Sequence, residues 1–164
     1  MKINWKIMIL WMALCTPLLI EKALADENYS LQLSAQTSRT VFDFRDGNLE
    51  SALVHARLIS LTYDEMHDLG LKPDFAVVFM DSSVLLLSHD RDKFTSAEKK
   101  ILIELDKAIT EIASRGIRLE VCLYAVNYFS VDPKSIPRQI KQVKNGWIAS
   151  SFYQADRFSL VPVF

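Results

Sequence analysis

Phe75-Ala-Val-Val-Phe-Met80 is apolar at every position, short, and fenced by Pro73 before it and Asp81-Ser-Ser83 after it. A strand with one wet face alternates apolar and polar residues. An unbroken apolar run of this length reads as a strand covered on both faces. Such strands belong to parallel sheets, whose crossover connections lay helices on the faces. This stretch therefore requires helical segments on either side of it.

The rest of the chain supplies them. Thr40-Val-Phe-Asp-Phe44 predicts a short strand, and Arg45-Asp-Gly-Asn48 a turn with Asp or Asn placed to cap a helix. Leu49, Ala52, Leu53, Ala56, Ile59, Tyr63 and Met66 recur mostly at spacings of three and four, which predicts an amphipathic helix stopped by Gly70 and Pro73. Val84-Leu-Leu-Leu87 fits either helix or strand. Thr95 or Ser96 caps a second long helix with Glu98 in its first turn. Its expected buried stripe is Ala97, Ile101, Leu105, Ala108 and Ile112, with Leu102 and Ile109 alongside, and Arg115-Gly116 ends it. Ile117 to Val121 predicts a strand leading into Cys122 and a short helix, halted by the proline-punctuated loop Val131–Pro137.

Ile140–Val143 is a further strand candidate. Asn145-Gly146 opens a helix with Trp147, Ile148, Phe152 and Ala155 on one face, for which core packing is the expected role. Phe158–Val163 closes as a strand in which Pro162 favours an edge or strand-end position. Strands alternate with helices throughout. The expected fold is α/β: a three-layer domain with a mainly parallel central sheet, whose sites lie at the carboxyl ends of the strands.

The chain has 164 residues and a formal net charge of −1, enough for one domain and without the basic field that nucleic acid binding needs. Its start has a different character. Lys2 and Lys6 precede an almost continuously apolar Ile7–Ile20, and Ala23-Leu-Ala25 is followed by Asp26-Glu-Asn28. That is the layout of a signal peptide cut after Ala25, and it predicts a periplasmic or secreted protein with no stable membrane span after cleavage. Retention as an uncleaved anchor is the alternative. Cys15 lies inside the apolar run behind bulky Leu14, which argues against a lipoprotein. The expected organisation is leader 1–25, polar arm 26–39 and α/β domain 40–164.

Once residues 1–25 are removed, Cys122 is the sole cysteine, so no intramolecular disulfide can form. It either packs as a small apolar residue or serves thiol chemistry. A position at the start of a helix favours a thiolate, whereas Glu120, on the same strand face by alternation, opposes one. Tyr124 and Asn127 on the following helix, and Arg45 and Asn48 at the end of the first strand, are the candidate pocket groups. His55, His67 and His89 form no metal motif, although Asp64 and His67 stand about one turn apart, and no metal is expected. The chain has neither G-x-G-x-x-G nor a Walker sequence, and no cofactor is expected. Aromatic residues gather in the last third, where core packing competes with a subunit interface.

Val121-Cys-Leu-Tyr-Ala-Val-Asn-Tyr-Phe-Ser-Val-Asp-Pro133 resembles the central segment of DsrE/DsrF-like proteins, in which a strand enters a cysteine, a short helix and a proline-containing turn. Ser114–Leu119 is similar to the helix, glycine and strand that precede it there. Val143–Ile148 through Leu160-Val-Pro162 is similar to that family's closing element, with Gln154 matching and Asp156-Arg157-Phe158 in place of the usual glycine–tyrosine pair. The resemblance implies flavodoxin-like layering, homo- or hetero-oligomers, and Cys122 as a sulfur acceptor exchanging with a donor or acceptor protein. On that footing the chain is a sulfur carrier rather than a turnover enzyme. The alternative is a non-catalytic oligomeric module of the same fold that binds a small ligand or protein.

Overall fold

The computed structural model describes residues 37–164; the expected leader and residues 26–36 of the expected arm lie outside the described residues. Strand β1 (Thr37–Phe44) leads to helix α1 (Leu49–Asp68) and strand β2 (Lys72–Phe79). A 3-10 turn (Asp81–Ser83) and helix α2 (Val84–Leu87) follow, then α3 (Ser96–Ser114), β3 (Arg118–Cys122) and α4 (Leu123–Tyr128). The chain ends with β4 (Lys141–Val143), α5 (Gly146–Ala155) and β5 (Ser159–Val163).

The sheet order is β4-β3-β2-β1-β5, and every pairing is parallel. β2 sits at the centre, and Phe75 to Phe79 are buried there on both faces, as the unbroken apolar run requires. β5 lies at an edge, where Pro162 costs no ladder hydrogen bond on the open side. β1 starts at Thr37, so the last three residues of the expected arm belong to a strand next to the central one.

The helix ends follow local chemistry. The Asn48 side chain accepts from Ser51 N–H at the start of α1. Thr95 and Glu98 form a reciprocal capping box on α3. Gly70 and Gly116 take φ of +78° and +77°, the left-handed turn that stops α1 and α3.

The layers are unequal. α1 and α3 pack together over one face, with α2 and α4, and enclose the larger core around Phe44, Phe75, Val77, Leu102 and Ile112. The other face holds a smaller core of Val41, Ala76, Val78, Met80, Cys122 and Phe158, topped by Ala149 and Tyr153 of α5.

Two expected faces are corrected. On α3 the buried residues are Leu102, Leu105, Ala108, Ile109 and Ile112; Ala97 is exposed and Ile101 half-buried, because the first turn overhangs the core. On α5 the side turned to the sheet carries Gly146 and Ser150, and Trp147, Ile148, Phe152 and Ala155 face outward. Small residues let this helix lie close on the sheet, which leaves the large apolar ones exposed. Among the described residues no helix is long and apolar enough to cross a membrane.

Candidate functional site

The connections leaving β3 and β4 diverge. β3 runs into α4, whose Val126 is buried in the larger core, whereas β4 runs into α5 on the opposite face. Parallel sheets open a crevice where connections part in this way, outside the carboxyl ends of the strands. Cys122 and Val143, the last residues of β3 and β4, are paired in register at that point.

Cys122 ends β3 in extended conformation and caps α4, and its side chain makes no capping hydrogen bond. It is the only free cysteine among the described residues and is 6 % exposed. Gly146, the first residue of α5, lies directly against it and Met80. The thiol lines a cleft of about 420 Å³ together with Arg45, Met80, Asp81, Tyr124, Asn145 and Trp147.

The charged groups of this cleft are fixed from below. Arg45 donates Nε–H to Asp43 Oδ1 at 2.9 Å and Nη2–H to Asp43 Oδ2 at 2.8 Å. Those hydrogen bonds, from a carboxylate buried at the end of β1, outweigh burial and hold the guanidinium above its ordinary value. Asp81 opens the loop after β2 with φ of 55°, a left-handed conformation that Asp adopts more readily than most residues. The loop is stitched to its neighbour: Met80 N–H donates to Phe44 O at 2.8 Å, and Ser83 Oγ–H lies within reach of Phe44 O and Met80 O.

Glu120 projects to the same side of the sheet as Cys122 but lines the neighbouring cleft, of about 620 Å³, between β4 and α5. Its carboxylate is buried, with Lys141 Nζ 3.4 Å from Oε1. Burial, and then the Glu120 charge, push the Tyr153 phenol in this cleft up to about 12. Tyr124 and Asn145 line both clefts.

Three of the five residues expected at the site, Cys122, Tyr124 and Arg45, come together in one cleft. Asn48 is occupied in capping α1, and Asn127 lies exposed on α4 outside the cleft lining. Asp81, Asn145 and Trp147 escaped as site residues, read instead as a turn residue, a helix start and a core residue, although the rule that nominated Cys122 applies to them. Each follows the end of a parallel strand by no more than four residues. Asp46 escaped too: its buried carboxylate takes the Asn48 N–H at 2.9 Å and lies 2.9 Å from His55 Nδ1. Asp64, read as ligand-like beside His67, instead binds the guanidinium of Arg115 at 2.6 Å. No group of three metal-ligating side chains occurs among the described residues.

No protein-family model and no curated protein matches the chain. Solved structures similar to it include the following two. One is MTH1491 from Methanobacterium thermoautotrophicum, a protein of unknown function, with a TM-score of 0.58 and 18% identity over 76% of this chain and 98% of that one. The other is the YchN protein from E. coli, with a TM-score of 0.58 and 7% identity over 76% of this chain and 98% of that one. YchN has a DsrE-like fold, and identities this low speak to fold alone: the parallel sheet and its unequal helical layers form a DsrE-like fold.

Proposed function

We propose that the protein is an exported sulfur carrier that accepts and releases one sulfur atom on Cys122. The observation that carries this reading is the thiol's position: the one cysteine among the described residues stands at a strand end and forms part of the lining of an open cleft. The likeness of residues 121–133 to the DsrE/DsrF-like central segment supports the same chemistry. The Cys122 thiolate attacks the outer sulfur of a donor persulfide, R–S–SH. The donor's S–S bond breaks as the Sγ–S bond forms, and R–S⁻ leaves and takes up the proton. The reverse step delivers the sulfur to an acceptor thiol, and the electron balance closes without an oxidant.

The test is mass spectrometry of the folded protein after exposure to glutathione persulfide, beside alkylation by iodoacetamide as a function of pH. One added sulfur on Cys122, absent from Cys122→Ser, is the expected result. A thiol that reacts only after denaturation overturns the proposal. The second reading, a binding module in which Cys122 only packs, draws on its 6 % exposure and its place in the smaller core. We extend the proposal to a homo-oligomer. Sedimentation of the wild type tests it, and a monomer overturns it.

A further inference from the structure

Glu120 holds a carboxylate that is more than nine-tenths buried, yet it faces a cleft and not packed interior. A buried carboxylate needs close donors to offset the water it has lost. The charged contact it has is Lys141 at 3.4 Å, through a side chain that is 75% exposed. A pair this long and this wet contributes little, and the ammonium regains full hydration when it swings away. The Tyr153 hydroxyl stands beside the carboxylate as a neutral donor, and the walls above are Tyr124, Ile148 and Phe152. An apolar cleft with one poorly matched carboxylate at its base is complementary to a cation carried on an apolar body, since ammonium groups favour both carboxylates and aromatic faces. The lining also holds Lys141 and Lys144, but both are exposed, so an anion that reaches the base meets the buried Glu120 there; a neutral ligand leaves Glu120 as poorly paired as before.

We propose that this cleft binds a small primary amine with an apolar body, its ammonium on Glu120 in place of Lys141 and its body against Tyr124, Ile148 and Phe152. The site is separate from the Cys122 chemistry and does not depend on it.

The experiment titrates the full chain with 2-phenylethylamine, 2-phenylethanol and phenylacetate, following amide NMR shifts along α5. Saturable amine binding at least about tenfold tighter than that of the alcohol is expected, from the strength of a charged hydrogen bond, with no binding of phenylacetate. Lys141→Ala, at an exposed side chain, removes the competing cation and tightens the amine. Glu120→Gln brings the amine down to the level of the alcohol, and Cys122→Ser leaves the series unchanged. Equal affinity for amine and alcohol, no saturable binding, weaker amine binding in Lys141→Ala, or a preference that survives Glu120→Gln each overturns the proposal.

Discussion

Replacing Gly146 by alanine perturbs the contact that seats α5 over the thiol. A Cβ at this position overlaps Met80 Sδ, lies 2.6 Å from Met80 Cγ and 3.0 Å from Cys122 Cβ. Carbon atoms prefer about 3.5–4.0 Å. Met80 is itself buried and can give way only toward the thiol cleft it lines, and Cys122 Cβ is fixed to the strand backbone. Overpacking of this kind costs about 1–3 kcal/mol. Against it, Gly→Ala restricts the unfolded chain and returns about 0.4–1 kcal/mol. The net expectation is a loss of about 1–2 kcal/mol. With m unchanged at about 1–3 kcal/mol/M, the urea midpoint falls by roughly 0.3–2 M. Because the methyl collides chiefly with Met80, the penalty shrinks in a Met80→Ala background to what the 3.0 Å contact with Cys122 Cβ leaves. A Gly146→Ala protein as stable as the parent refutes the reasoning, and so does an equal penalty in both backgrounds.

Glu98 gives a signed pH dependence. The Thr95 hydroxyl, and then the Thr95 backbone N–H, hold its carboxylate below the ordinary value. Its folded pKa is depressed, so its contribution is full above the ordinary carboxylate range and is lost as pH falls through the lowered value. Glu98→Gln should flatten that part of a plot of melting temperature against pH. Ile112→Ala, at a fully buried site between α3 and the sheet, should cost about 2–5 kcal/mol in denaturant unfolding. Phe152→Ser removes a larger side chain from the outer face of α5 and should change monomer stability by no more than about 0.5 kcal/mol.

The sheet was legible because its signals are local. Phe75–Phe79 could be buried on two faces only inside a parallel sheet, and Thr95 with Glu98 names its own helix start. The orientation of α5 was not legible, because the helix has two candidate faces. One is Gly146, Ala149, Ser150 and Tyr153; the other is Ile148, Phe152 and Ala155. Hydrophobicity favours the second for burial. Close approach of a helix to a sheet favours the first, and periodicity holds no information about approach distance. Arg45 and Cys122 were legible through the strand-end rule. Their common cleft depends on pairings among β1, β2 and β3, which no local pattern encodes.

Both clefts follow from the unequal layering. Five strands at about 4.8 Å spacing put the outer strand axes about 19 Å apart, and one helix with its side chains covers about 10–12 Å. α1 and α3 together span one face. On the other, α5 has only ten residues and rides low on Gly146 and Ser150, so sheet remains uncovered beside it. The side chains of β3 on that face, Glu120 and Cys122, are therefore the ones left at the margin of the smaller core. Tyr124 and Asn145 stand between them as a shared wall, and each opens into its own cleft. A thiol and a carboxylate two residues apart on one strand are thereby separated in environment: the thiol lies under the start of α5 beside Met80, and the carboxylate lies below the aromatic side chains of its flank. Glu120 thus belongs to a site of its own, and the question the sequence raised about its effect on Cys122 becomes a question about what the second cleft holds.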